Sequence, residues 1–314
     1  MAILVTGGAG FIGSHTCDAL LKKNERVICL DNFNDYYPPE KKRKNIERNL
    51  ASKNFILAET DITDGKSLEK VFGENKDISA IVHLAARAAA RPSLDNPLLY
   101  AEVNILGTIN LLELARKHGV KTFIFSSSSS VYGANKKMPF SEADITESQE
   151  SPYAITKKTG EMLCKFYSET YGLNITCLRF FTVYGPRGRP DMAPYRFTEA
   201  IDKGHPVNMY GDGNSKRDYT YVDDVVRGIL LSVEKSRKFE IINLGNGNPV
   251  ELKKFISLIE KQLSKKAKIA KKQMPKGDVV ATHADISKAG KILGYVPQTT
   301  IEEGLKKFIR GYKS

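Results

Sequence analysis

No run of eighteen consecutive apolar residues occurs anywhere in the 314-residue chain, so no membrane-spanning helix is expected. No basic stretch precedes the first apolar run, so no secretory signal is expected either. Cysteines are few: Cys17, Cys29, Cys164 and Cys177 lie scattered in apolar surroundings, and none forms a CxxC pair. They read as small buried hydrophobes of a reduced, cytoplasmic protein, and neither a disulfide frame nor a metal site is expected. Acids are missing between Lys261 and Lys276, a stretch that holds seven lysines. A second basic cluster runs from Lys41 to Lys44, and the net charge is +12. Neither cluster carries interleaved aromatics or a nucleic-acid motif, so a solvated surface is expected and no nucleic-acid partner. A weaker use of the charge is attraction of a polyanionic small substrate. With 41% hydrophobic residues, the chain can build one large α/β domain, or one domain with a smaller lobe.

The first motif appears at once. Ala2 to Val5 is apolar and leads into Thr6-Gly-Gly-Ala-Gly-Phe-Ile-Gly13, then a helical pattern to about Lys22. Strand, glycine turn and helix are the context that a dinucleotide-binding fingerprint requires. Gly7, Gly10 and Gly13 permit a tight turn, close backbone approach to a pyrophosphate and close helix–strand packing. A second apolar run, Val27 to Leu30, ends in Asp31. An acid there can accept the ribose hydroxyls of NAD and repel a 2′-phosphate; a solvated turn residue would read the same way. Phe55–Ala58, Ile81–Leu84 and Thr122–Phe125 are further strand-like runs, and Asn96-Pro97 opens a long helix closed by Gly119. Repeated β-α units predict a doubly wound, mostly parallel sheet with ligands at the carboxyl ends of its strands. Ser126 to Ser130 lies at one such end. It reads as a polar turn or as a set of hydroxyls facing cofactor and substrate.

Tyr153-Ala-Ile-Thr-Lys157 opens a helical segment to Tyr171, with Ser151 as N-cap, Pro152 at N1 and Gly172 closing it. Residues four apart share a helix face. A phenol with a pKa of about 10 is a poor base. A neighbouring cation favours the phenolate and makes a general base usable near neutral pH. The same spacing also occurs by chance on exposed faces.

Glycine loop, serine run and Tyr-x-x-x-Lys together resemble the short-chain dehydrogenase/reductase superfamily, in its extended branch of NAD-dependent epimerases and dehydratases, over nearly the whole chain. Arg179-Phe-Phe-Thr-Val-Tyr-Gly185, Arg217-Asp-Tyr-Thr-Tyr-Val-Asp223 and Gly277-Asp-Val with Ala284-Asp-Ile-Ser-Lys288 fit the same branch. The resemblance implies a Rossmann domain over 1–185, with 215–247 returning to it, and a smaller α/β lobe from 186–214 and 248–314 that grips UDP. It implies NAD as cofactor, lined by Phe11, Ile12, Asn32, Asp61, Ile62, Leu84, Ala85, Ala86, Asn104 and Phe181 beside the glycines and Asp31. Ser128 would be the third catalytic group with Tyr153 and Lys157. Asp191, Met192, Asn208, Met209, Tyr210, Arg217 and Asp278 would hold the UDP part of the substrate. A homodimer through helices 97–118 and 152–171 is common in the family.

Dehydratases of this branch carry Thr-Asp-Glu, and UDP-glucuronate decarboxylases Thr-Ser-Glu, where this chain has Ser128-Ser129-Ser130. The missing glutamate argues against both. Asn34-Asp-Tyr-Tyr37, Ser129-Ser-Val-Tyr-Gly133, Lys137-Met-Pro-Phe140 and Thr182-Val-Tyr-Gly-Pro-Arg-Gly-Arg-Pro-Asp-Met192 are most similar to UDP-glucuronate 4-epimerases. In that reading Tyr153 takes the proton of the 4-hydroxyl and hydride passes from C4 to NAD+. The 4-keto sugar then turns over, and hydride returns to its other face. Ser129, Ser130, Thr182 and Arg189 would hold the sugar carboxylate so that the β-keto acid keeps its CO2. Arg91 keeps its family position among the substrate residues. Where the family usually reads Ala-Gln-Ala-Gly-Val-Arg-Tyr-Ser, this chain reads Ala86-Arg-Ala-Ala-Ala-Arg-Pro-Ser93. The alternatives are a UDP-glucose or UDP-N-acetylglucosamine 4-epimerase, a UDP-glucuronate decarboxylase, and an NAD-binding protein without turnover.

Overall fold

The computed structural model describes residues 1–273 and 280–313. In chain order it forms β1 (Ala2–Thr6), α1 (Phe11–Lys22), β2 (Arg26–Asp31), α2 (Pro39–Ile46), β3 (Phe55–Glu59), α3 (Gly65–Glu74), β4 (Ile78–His83), α4 (Ala90–Asp95), α5 (Pro97–Ala101), α6 (Gly107–Lys117), β5 (Thr122–Ser128), α7 (Pro152–Tyr171) and β6 (Asn174–Phe180). There follow β7 (Thr182–Tyr184), α8 (Ala193–Asp202), β8 (Pro206–Tyr210), β9 (Lys216–Arg217), β10 (Tyr219–Tyr221), α9 (Val222–Glu234), β11 (Phe239–Leu244), β12 (Val250–Glu251), α10 (Leu252–Leu263), β13 (Lys268–Lys272), α11 (Ser287–Leu293) and α12 (Ile301–Lys313).

Seven strands make one sheet in the order β11-β6-β5-β4-β1-β2-β3, and every neighbouring pair is parallel. The strand order reverses between β1 and β4, which opens a crevice at their carboxyl ends. Side chains alternate across the sheet. Ile3 and Val5 join Val27, Cys29, Val82, Ile124 and Leu178 on one face. Ala2 and Leu4 join Ile28, Ile81, Phe123, Phe125 and Ile175 on the other. Both faces are buried, which is why the strands read as continuous apolar runs. α1 and α9 pack together, while α7 lies against β5, β6 and α6. The first apolar face continues through Ile201, Val207, Phe255, Ile259 and Phe308. There Tyr219 stacks on Phe255 with ring centroids 4.1 Å apart.

Three small pairs of strands lie outside the sheet: β10 with β7, β12 with β9, and β13 with β8. β13, Lys-Ile-Ala-Lys-Lys, runs parallel to β8 and is exposed at every position but its central alanine.

Local signals account for α7. Ser151 Oγ accepts a hydrogen bond from the Ala154 N–H at 3.2 Å, Pro152 stands at N1, and Gly172 closes the helix at φ +71°. Three segments depart from the sequence-based expectation. β5 runs on through the serines to Ser128, so Ser126 and Ser127 are buried strand residues and not part of a turn. A short helix, α4, precedes Asn96. The helix that Asn96 caps is widened into a π turn at Glu102–Leu106 before α6. As one helix, Pro97–Lys117 reaches the length and apolarity of a membrane span. Inside the fold its Leu111, Leu112, Leu114 and Ala115 pack into the core, and Asn104 and Asn110 spend their amides on neighbouring loops.

Candidate active site

Two cavities open where the sheet meets the additional strands. One, of about 370 Å³, lies over the carboxyl ends of the sheet. The other, of about 560 Å³, is lined from α8, β8 and β9.

The first is framed by backbone. Gly7 has φ +64°, and a Cβ there would stand 2.8 Å from the Ala85 nitrogen. A Cβ on Gly13 would stand 2.0 Å from the Gly7 carbonyl oxygen, so α1 sits as close to the turn as glycine allows. Gly10 caps α1 with no side chain, leaving the free N–H groups of the first turn toward the cavity. A pyrophosphate fits this cradle, and its close backbone approach depends on glycine, since a Cβ at Gly7 or Gly13 would run into neighbouring backbone atoms. Phe11, Ile12, Asp61, Ile62, Leu84, Ala85, Ala86 and Phe181 line the same cavity.

Asp31 ends β2 and is buried. Its carboxylate accepts from the Ala9 and Phe33 N–H groups, and from Lys42 Nζ at 3.3 Å. Lys42 is itself buried and also reaches Asn34 Oδ1 at 3.3 Å. Asn32 Nδ2 donates to Asp61 at 2.5 Å. Burial acts to raise the Asp61 carboxyl, but hydrogen bonds from Thr63 and Asn32 leave it below its usual range.

α7 carries Tyr153 and Lys157 to the end of β5. Lys157 Nζ donates to the Ser126 carbonyl at 2.7 Å and lies 5.1 Å from the Phe125 ring centroid. Burial drives its ammonium down to about 8. Burial also pushes the Tyr153 phenol above its ordinary value; a hydrogen bond with Ser128 and the Arg189 charge pull it partly back. Lys157 Nζ also stands 6.0 Å from the Tyr153 ring centroid, and both residues line the cavity. Ser128 Oγ also accepts the Ser130 N–H at 3.1 Å.

Behind the serines lies a buried ion pair. Glu161, one turn beyond Lys157, accepts from Arg179 Nε and Nη2, both at 2.8 Å, and from Ser127 Oγ at 2.6 Å. α7 is thus fastened to β5 twice.

Ser129, Thr182, Met192 and Arg189 line the same cavity as Tyr153. Arg189 is already paired: Nε reaches Asp191 Oδ1 at 3.0 Å, Nη2 reaches Oδ2 at 2.5 Å, and Nη2 lies 3.3 Å from Tyr36 Oη. Arg91, Asp191, Asn208, Tyr210 and Arg217 line the second cavity, with Arg196, Lys203 and Glu199. Four cations therefore face two acids, a balance that suits a polyanion. Arg91 lies over the Tyr210 ring at 5.1 Å.

Three expected residues stand elsewhere. Met209 is buried in the core: strand alternation on β8 turns it away from the cavity that its neighbours Asn208 and Tyr210 line. Asn104 is buried and clasps the Arg87 backbone, accepting its N–H at 2.8 Å and donating to its carbonyl at 3.0 Å, and it donates to Thr156. It holds the loop that lines the cavity rather than the cavity itself. Ser130 Oγ is enclosed in the turn after β5 and makes no hydrogen bond among the described residues. Asp278 lies outside the described residues. Among the described residues, no three His, Cys, Asp or Glu side chains are grouped to hold a metal.

Sequence reasoning missed Lys42, Tyr36, Tyr37 and the Glu161–Arg179 pair. Lys42 meets Asp31 only through the folding of an intervening loop, which no periodicity reveals. Glu161 follows Lys157 by four residues, so the helix period could have placed it on the same face.

A parallel sheet with a glycine turn after β1, and a Tyr–Lys helix beside the serines, defines a dinucleotide-dependent enzyme of the short-chain dehydrogenase/reductase type. The chain belongs to the NAD dependent epimerase/dehydratase family, whose model matches residues 3–245. It is 45% identical to a UDP-glucuronate 4-epimerase of Thermodesulfobacterium geofontis, across 99% of this chain and 95% of that protein. The structure superposes on UDP-glucuronic acid 4-epimerase from Bacillus cereus, solved with UDP-glucuronic acid and NAD, at a TM-score of 0.93 and 38% identity, covering 100% of this chain and 99% of that one. It matches UDP-glucose 4-epimerase from Thermotoga maritima, solved with UDP-glucose, at a TM-score of 0.92 and 38% identity over the same shares.

Proposed function

We propose that the protein interconverts UDP-glucuronate and UDP-galacturonate by oxidising and re-reducing the sugar at C4. The observation that carries this reading is the placement of Ser129, Thr182 and Arg189 in the cavity that holds Tyr153 and Lys157, with serine where glutamate would stand in a decarboxylase. A uronate there meets hydroxyl donors and a cation, and no acid at position 130 repels it. The identity to UDP-glucuronate 4-epimerases supports the same choice of sugar.

NAD is the cofactor, with the Gly7–Gly13 turn, Asp31, Asp61, Ile62, Leu84–Ala86 and Phe181 as the residues that would hold it. Bound there, it supplies a hydride acceptor and donor for C4 and a positive ring near the phenol. Tyr153 takes the proton of the 4-hydroxyl and later returns one, and Ser128 positions that hydroxyl. Lys157 holds the end of β5 through Ser126. Ser129 and Thr182 grip the sugar carboxylate, which keeps the breaking C–C bond of the β-keto acid out of line with the ketone. Asn208, Tyr210 and Arg217 hold the UDP part, Arg217 through a charge-assisted contact to a phosphate.

The proposal includes a division of labour. Residues 1–185 and 215–247 bind the dinucleotide, and 186–214 with 248–314 bind UDP. It includes a homodimer: Leu98, Leu106, Ile155, Met162 and Phe166 are exposed on the helices at 97–117 and on α7, an apolar face that a second copy of the chain would cover. Four buried free cysteines accord with a cytoplasmic location.

The test is a panel of UDP-sugars given to the purified protein with products read by NMR. UDP-galacturonate from UDP-glucuronate is expected. Turnover of UDP-glucose or UDP-N-acetylglucosamine alone would move the assignment to a neutral sugar, and a UDP-pentose product would move it to a decarboxylase.

A further inference from the structure

Tyr37 lines the dinucleotide cavity. Its Oη is enclosed and makes no hydrogen bond among the described residues. Buried hydroxyls are nearly always paired, and an unpaired one points to a partner that is not protein. The direction of that partner follows from three neighbours. A Cβ built on Gly10 would stand 3.9 Å from Tyr37 Oη, so the phenol overlooks the N-terminus of α1. Lys42 Nζ lies 5.4 Å from its ring centroid, and the Asp31 carboxylate is near enough to act on the phenol electrostatically. The hydroxyl therefore stands at the helix end that faces a pyrophosphate, within electrostatic reach of the acid at the end of β2. Burial pushes the phenol far above its ordinary value, so it stays protonated and is a donor throughout the working pH range.

Tyr36 keeps it there. The Tyr36 hydroxyl lies 3.1 Å from the Ala88 carbonyl, 3.3 Å from Asp191 Oδ2 and 3.3 Å from Arg189 Nη2. One tyrosine of the pair is thus tied to the far wall of the cavity, and its neighbour is held over α1.

We propose that Tyr37 is a dinucleotide-binding residue whose phenol donates to a pyrophosphate oxygen of bound NAD, with Tyr36 fixing the segment in place. The proposal rests on NAD being the cofactor and is independent of which sugar is epimerised. Its consequence is retention: an enzyme that oxidises and then re-reduces the same substrate must not release its dinucleotide between the two steps.

The test compares nucleotide-stripped wild type, Tyr37→Phe and Tyr36→Phe by calorimetric titration with NAD+, ADP-ribose and adenosine. Tyr37→Phe is expected to bind NAD+ and ADP-ribose about tenfold more weakly, as for a lost hydrogen bond to a charged group. It should bind adenosine as wild type does and lose nucleotide during purification. Tyr36→Phe is expected to show a smaller loss of the same pattern. Unchanged NAD+ affinity in Tyr37→Phe overturns the proposal, as does an equal loss for adenosine. Should Tyr37→Phe fail to fold, a fluorotyrosine at position 37 in the otherwise unaltered protein gives the same answer. Its fluorine resonance must move with NAD+ and ADP-ribose and not with adenosine. Failure of wild type itself to bind NAD+ would remove the cofactor assignment as well, and is distinguishable from failure of Tyr37 alone.

Discussion

The two cavities are built by opposite means. The first is shaped by backbone: glycines that let α1 approach β1, and strand ends that fix where side chains begin. The second is shaped by side chains, Arg91, Asn208, Tyr210 and Arg217 among them, projecting from short helices and short strands. A site made of backbone is held by the whole sheet and suits a cofactor that stays. One made of long side chains adapts and suits a substrate that comes and goes. Substitutions should separate the two, with losses of turnover in the first and losses of affinity in the second.

The largest effect is expected from Tyr153→Phe, which keeps the ring and removes the proton acceptor. Turnover should fall by roughly a hundredfold or more with KM little changed; near-normal turnover would place the base elsewhere. Arg217→Ala should do the reverse, raising KM for the UDP-sugar about tenfold with kcat nearly preserved. A loss confined to kcat would mean that the second cavity is not the UDP site. Thr182→Ala and Arg189→Ala test the boundary between the cavities. Epimerisation should slow by about tenfold, the scale of one lost hydrogen bond, and UDP-pentose should appear among the products. Normal epimerisation without CO2 in both variants would show that the carboxylate is gripped by other groups.

A fourth test reads burial at the catalytic helix through pH. Lys157 is pushed down to about 8, so above that pH the folded protein has given up a proton that the unfolded chain keeps up to about 10.4. The unfolded state binds more protons in this window, and the Lys157 contribution therefore rises with pH through it. The NAD-free wild type should gain stability relative to Lys157→Met between pH 8 and 10 in urea unfolding. A pH-independent difference would mean that the ammonium is not desolvated. The smallest effect concerns Ala89, which lines the first cavity at φ +75°. Ala89→Gly should relieve a strained backbone and raise stability by roughly 1 kcal/mol in thermal unfolding. A lower melting temperature would show that the loop gains nothing from glycine.

The same contrast explains what could be read from the sequence. Gly7, Gly10, Gly13 and Asp31 were legible because strand, turn and helix are written in consecutive residues. So were α7 and its caps. The extension of β5 into Ser126–Ser128 was not, because serine has no strong preference for strands and only pairing with Leu178–Phe180 of β6, beyond the end of β4, settles it. The substrate residues were legible only through family resemblance, since their elements are two to five residues long. Met209 was misassigned although the signal existed: Val207 and Met209 alternate with Asn208 and Tyr210 on β8. Tyr36 was passed over because its partners Arg189 and Asp191 lie more than 150 residues away in the chain.

β13 carries a further consequence. A strand at the rim of a two-stranded sheet offers unpaired peptide groups along one side, and another chain could add itself there. Lys268, Lys271 and Lys272 line that strand and are exposed. Two copies brought edge to edge would set these charges against each other, so the docking of strand on strand is disfavoured. Part of the chain's positive excess thus lies where it opposes edge-to-edge association of copies.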